Sequence, residues 1–225
     1  MPTSNRLSLL TAVVLLLLLP FFLTQIALVS LQKLHLSPDT AFNLMLAIIF
    51  GGLINIPVKR IVQQRPVWSH PLAVFGLDRT MPRWLTQRRE TIIAVNVGGC
   101  LIPVGIALYQ LTFLVPLGPD TVWAVTIATA INTLVCFFVA TPVPNVGIVM
   151  PGFVAPLTAV ISALILAPEV APPVAFVAGV MGPLIGADFL HINDFIRTPV
   201  GVASIGGAGT FDGIVLSGIF AAYLA

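Results

Sequence analysis

Charge is the scarcest thing in this chain. Ten Lys and Arg and eight Asp and Glu make up 8% of 225 residues, too little polar surface for a soluble domain of this length. Cysteine is almost absent too. Cys100 and Cys136 are the two present; both lie inside apolar runs with no partner nearby, which excludes a disulfide framework and reads as small buried hydrophobes. Histidine is equally sparse, and His35 and His70 fall in connecting segments without a companion at ligand spacing. The sequence therefore predicts no metal site, and it carries no cofactor motif. A net charge of +2 and the lack of a recognition fold also exclude nucleic acid as a partner.

What is abundant is apolar length. Hydrophobic residues make up 58% of the chain and the mean hydropathy is +1.06. Apolar stretches near 8–30, 40–58, 91–115, 121–141, 151–167, 172–190 and 202–224 each approach the roughly 20 residues that a helix needs to cross the hydrocarbon layer. The expected fold is all-α: one polytopic transmembrane domain over 1–225, with about seven transmembrane helices. Arg6 followed by TAVVLLLLLPFFL resembles the opening of a secretory signal. No small-x-small cleavage site follows, so the first stretch is read as a retained helix.

The long polar interval, 59–90, concentrates the cations: Lys59, Arg60, Arg65, Arg79, Arg83, Arg88 and Arg89 against Asp78 and Glu90. By the positive-inside rule it is a basic cytoplasmic loop. That placement puts the N-terminus and Arg197 inside, the C-terminus outside, and only Lys33 on the far side. Trp68, Phe75 and Trp84 within the interval suggest contact with the headgroup layer.

The second half is interrupted by glycine and proline. NVGG at 96–99, TPVPNVGIVMPGFVAP at 141–156 and SIGGAGTFDG at 204–213 permit either close helix packing or a broken helix, whose freed backbone groups must be satisfied inside protein or a wet cavity. Thr141-Pro142-Val143 and Thr198-Pro199-Val200 form a faint internal echo, each in a turn between two apolar stretches.

Two acids stand where lipid tolerates them least: Asp188 in GVMGPLIGADFL and Asp212 in SIGGAGTFDGIVLSG. An ionisable group there is costly unless paired or hydrated, and marks a functional site by default. NVGGCLIP, TPVPNVGIVMPGF, GADFL and SIGGAGTFDGI together resemble a family of small bacterial and archaeal multi-pass membrane proteins classed as a domain of unknown function. The resemblance covers roughly 90–225 and implies membership of a bacterial inner-membrane family, not a mechanism.

The chemistry is argued from the acids. Two carboxyls a few ångströms apart cannot both ionise, so one keeps a proton while the other activates water, as in aspartic proteases. Asp188 and Asp212 as such a pair resemble, distantly, the two-aspartate intramembrane aspartyl proteases and prepilin peptidases, which implies a transmembrane peptide substrate. The match is incomplete: residues 185–188 read Ile-Gly-Ala-Asp in place of Gly-x-Gly-Asp, and Thr210 and Phe211 separate Asp212 from its glycines. A continuous helix from 202 would also set Asp212 roughly 15 Å along its span, away from Asp188. The pair meets only if residues 201–209 unwind.

The alternative is an ion- or proton-coupled transporter or channel. Asp212 sits in a broken helix, Gly206, Gly207, Gly209 and Thr210 provide the break, and Asn96, Asn132 and Asn145 are polar neighbours. A non-catalytic accessory or assembly subunit is the third reading. Asp194 is a further candidate partner, more simply a loop acid near Arg197. Hydrolysis ranks first, the lipid bilayer is the one firm partner, and a homo-oligomer is compatible with each reading.

Overall fold

A computed structural model describes residues 21–68, 84–143, 147–193, 202–207 and 213–225, with 63–68 and 84–90 described through their backbone alone. It is mostly helical. Helix α1 (21–33) leads into α2 (Pro38–Gly51). Strands β1 (Asn55–Trp68) and β2 (Trp84–Asn96) follow. Helix α3 spans Val97–Leu117 and α4 spans Pro119–Val139. Two short strands, β3 (Thr141–Val143) and β4 (Gly147–Val149), precede α5 (Val154–Leu166). Then come α6 (Pro168–Phe189), β5 (Val202–Ile205) and α7 (Gly213–Leu224).

The strands correct the all-α expectation. β1 and β2 pair antiparallel from Asn55↔Asn96 to Trp68↔Trp84, and β5 joins β2 in parallel over Ile92–Val95. The described parts of the basic interval, 59–68 and 84–90, are thus a β-ribbon. Its strands carry β-branched residues, Ile61 and Val62 on one and Thr91, Ile92 and Ile93 on the other, which favour a pleated backbone. Two expected spans shrink accordingly: the second gives way to β1 at Asn55, and the third begins at Val97 rather than 91. The seventh gives up residues 202–207 to β5 and a glycine turn.

Three helices, α3, α4 and α6, have 21 or 22 residues and the apolarity to cross a membrane. At 1.5 Å per residue each reaches about 32 Å, against about 30 Å of hydrocarbon. Helices α2, α5 and α7, with 14, 13 and 12 residues, are apolar but reach only about 18–21 Å. A short helix adjoins a long one in each case. In α2–α3, α4–α5 and α6–α7 the connecting stretch contains strand: β1–β2, β3–β4 and β5 respectively. The Thr141–Val143 copy of the echo is β3; the Thr198–Val200 copy lies outside the described residues.

Helix α6 is the axle of the bundle. It packs against α3, α4, α5 and α7, and 78% of its apolar window is buried, against 33% for α3 and 28% for α4. Small residues make this approach feasible: Gly179 meets Ala221 and Gly218 of α7, and Gly182 lies against Asn132 of α4. The Asn132 amide donates to the Ala178 carbonyl at 2.8 Å, a polar clamp between α4 and α6. The outer faces of α3 and α4 expose Leu108, Phe113, Trp123, Ile131, Leu134 and Phe138, as lipid-facing helices do. Both cysteines are buried, Cys100 in α3 and Cys136 in α4.

Backbone also presses closely on Gly98, where a Cβ would overlap the Ile48 carbonyl oxygen and the Gly52 nitrogen. Backbone cannot swing aside as a side chain can. Gly98→Ala is expected to cost about 2–4 kcal/mol, measured by denaturant unfolding in detergent. Gly105, where a Cβ would meet nothing within 4 Å, is the control: alanine there should leave stability unchanged or raise it by up to about 1 kcal/mol.

Candidate functional site

Three chain breaks converge at one end of the bundle. The first is the junction of β2 and α3. Asn96 ends the strand with extended backbone (φ −79°, ψ 133°) and caps the helix, its side-chain oxygen accepting the Gly99 N–H at 2.7 Å. Its amide donates to the Gly52 carbonyl at 2.8 Å and to Asn55 Oδ1 at 3.1 Å. One fully buried side chain therefore satisfies backbone groups from two elements. The helix then opens with a π-helical turn, Val97–Leu101, a widened geometry frequent at functional sites.

The second break is at the end of α6. Pro183 has no N–H to give, so the helical ladder is interrupted there, and a second π-helical turn follows over Leu184–Phe189. The Leu190 N–H bonds back to the Ile185 carbonyl at 3.0 Å. Gly186 lets this turn press on α4, where a Cβ would overlap the Thr133 carbonyl. Asp188 is carried here, half-buried at the emerging end of the most buried helix. His191 follows, buried, with Nδ1 at 3.0 Å from the Gly186 carbonyl and its ring 4.9 Å from that of Phe137. Since a carbonyl can only accept, Nδ1 carries the proton in that bond.

The third break is the end of β5. Gly206 and Gly207 turn the chain with φ of +83° and +65°, the left-handed region that glycine enters without penalty. Here the elements meet. The Gly206 N–H donates to Asp188 Oδ2 at 3.2 Å. On its other side Gly206 packs on α3: a Cβ there would be 2.6 Å from the Cys100 Cβ, and one on Gly99 would overlap the Gly206 carbonyl oxygen. Ser204 extends the polar seam, its hydroxyl donating to Asn55 Oδ1 at 2.6 Å.

Of the residues singled out from sequence, the structure brings together Asp188, Gly206, Gly207 and Asn96, linked through Gly99. Asp212, Gly209, Thr210, Asn145 and Asp194 lie outside the described residues. Asn132 is removed from the group, since its partner Ala178 precedes Asp188 by ten residues, about 15 Å along α6. Asn55, Ser204 and His191 join it unannounced. Their signal was topological: Asn55 and Ser204 meet only because β1, β2 and β5 share one sheet. The expectation of a continuous helix from 202 is also corrected, because residues 202–207 form a strand and a turn.

This arrangement of strand, double glycine and interrupted helix falls within a sequence match to the DUF1614 family, described as a protein of unknown function, over residues 49–224. The chain belongs to that family. The match takes in every element from the end of α2 through α7, so the converging breaks lie wholly inside the DUF1614 region. No curated protein and no solved structure matches the chain, and the resemblance to aspartyl proteases finds no support among them.

Asn96→Ala should leave the Gly99 N–H and the Gly52 carbonyl buried without their partner, each costing about 1–3 kcal/mol. The expected result is a loss of about 2–4 kcal/mol in unfolding free energy, with faster amide exchange at residues 97–100.

Proposed function

We propose that this DUF1614 protein is a multi-pass protein of the bacterial cytoplasmic membrane that binds and passes a proton or small cation where its interrupted helices meet around Asp188. The observation that carries the reading is the hydrogen bond from the Gly206 N–H to Asp188 Oδ2, at 3.2 Å. Non-helical backbone at membrane depth is tolerated only inside protein or beside a water-filled cavity, and discontinuous helices around a carboxylate are how transporters hold ions. The short reach of α2, α5 and α7 supports such depth. The basic ribbon, by the positive-inside rule, faces the cytoplasm.

The chemistry follows from the acceptor. An ionised carboxylate accepts the Gly206 N–H strongly, since a charged partner roughly doubles such a bond. Protonation removes most of that attraction and frees the glycine turn, whose two left-handed residues rest in conformations with little steric penalty to leaving. A cation drawn to the carboxylate acts in the same direction by drawing charge from Oδ2. Occupancy of Asp188 is thereby coupled to the position of the turn between β5 and α7. Asp212, which follows Ile205 in that same connection, is the second acid through which a proton or ion would pass.

Hydrolysis by an Asp188–Asp212 pair is the second reading, and one observation favours it. The unwinding that a dyad requires between 201 and 209 is matched by the strand and turn over 202–207, so a continuous helix no longer holds the two acids apart.

Purified protein in vesicles holding a pH-sensitive dye separates the two. Wild type should dissipate an imposed proton or sodium gradient, and Asp188→Asn should reduce the rate to that of protein-free vesicles with its unfolding midpoint retained. Unchanged flux in Asp188→Asn overturns the transport reading. Cleavage of a transmembrane peptide, lost in both Asp188→Asn and Asp212→Asn, would put hydrolysis in its place.

A further inference from the structure

The β1–β2 ribbon carries a charge opposite to that of the remaining chain. Its strands, 55–68 and 84–96, hold Lys59, Arg60, Arg65, Arg88 and Arg89 against Glu90, a net of +4, while the other residues hold five cations against seven acids, a net of −2. The strands have 14 and 13 residues, about 45 Å of ribbon at 3.4 Å per residue. Only Ile92–Val95 at its root pairs with β5. Beyond Thr91 neither strand has a further strand partner among the described residues. The ribbon also leaves the bundle where the apolar helices end, β1 four residues after Gly51 and β2 immediately before Val97.

Several features decide what covers it. Pro57 and Pro66 in β1 lack a backbone donor, which suits an edge strand, and cations along both strands repel a like-charged edge, so a second copy is a poor partner. At the far end of the register Trp68 pairs with Trp84, and tryptophan concentrates at the headgroup level. Four net positive charges on a ribbon that extends beyond the helix ends match anionic lipid, whose attraction acts on each nearby cation and fades within a Debye length. Resting on the membrane reading above, though not on transport, we infer that the β1–β2 ribbon lies along the anionic phospholipid headgroups of the leaflet from which it emerges.

The test uses the full chain with Trp123→Phe, which leaves Trp68 and Trp84 as the only tryptophans, in bilayers of phosphatidylcholine and phosphatidylglycerol. The bromine label is placed on one lipid or the other at equal mole fraction. Quenching by brominated phosphatidylglycerol should exceed that by brominated phosphatidylcholine by about twofold or more, and the excess should vanish near 1 M salt, where the Debye length is about 3 Å. Equal quenching by both lipids, or an excess that survives the salt, overturns the inference. Hydrogen exchange on the unmodified chain is the independent check: residues 59–68 and 84–91 should exchange more slowly in bilayers containing phosphatidylglycerol than in pure phosphatidylcholine, and equal exchange counts against it. Loss of gradient dissipation with these results intact would sink transport alone.

Discussion

Peptide groups freed where a helix ends need partners wherever packed protein excludes water, and this requirement organises one end of the molecule. Three helices stop short, and among the described residues each connection beside them contains strand. Parallel pairing of β5 with β2 ties up one set of peptide groups. The Asn96 amide takes another, and the Asp188 carboxylate a third. Glycine occurs where these segments press backbone to backbone, because a methyl at Gly98 or Gly99 would displace the neighbour's peptide group. Satisfying the breaks thus draws the acid, the strand root and the glycine turn to one place.

The position of Asp188 follows from the same requirement. Helix α6 is surrounded on four sides, and a carboxylate in its middle would be stranded. Pro183 and the π-helical turn end the regular helix just before the acid, so Asp188 leaves the packed region as the chain does. His191 and Gly186 hold that turn against α4. The acid is consequently set by two helices and a strand connection, with no flexible arm of its own.

Helix number and approximate limits were legible in the sequence, because runs such as 121–141 and 172–190 are both apolar and long. Gly206 and Gly207 were legible as a break for a local reason, since adjacent glycines beside an acid suit no lipid-facing helix. The sheet was hidden. Thr91-Ile92-Ile93-Ala94-Val95 is as apolar as a membrane span and continues into one, so hydropathy merged strand and helix; only β-branching hinted at the boundary. The 59–68 and 84–90 segments carried charges that dominated their reading and masked the strands beneath. Partners such as Asn55 and Ser204, 149 residues apart, depend on a three-stranded register that no local pattern encodes.

That register has a mechanical consequence. β2 is one uninterrupted strand from Trp84 to Asn96. Its outer part belongs to the charged ribbon, its last residues carry β5, and β5 runs directly into the turn that grips Asp188. A strand is stiff along its length and transmits twist, so a roll of the ribbon about its axis rotates the peptide groups on which β5 hangs. The ribbon and the half-buried acid are therefore two ends of a single lever, with its fulcrum at the asparagine that closes the strand.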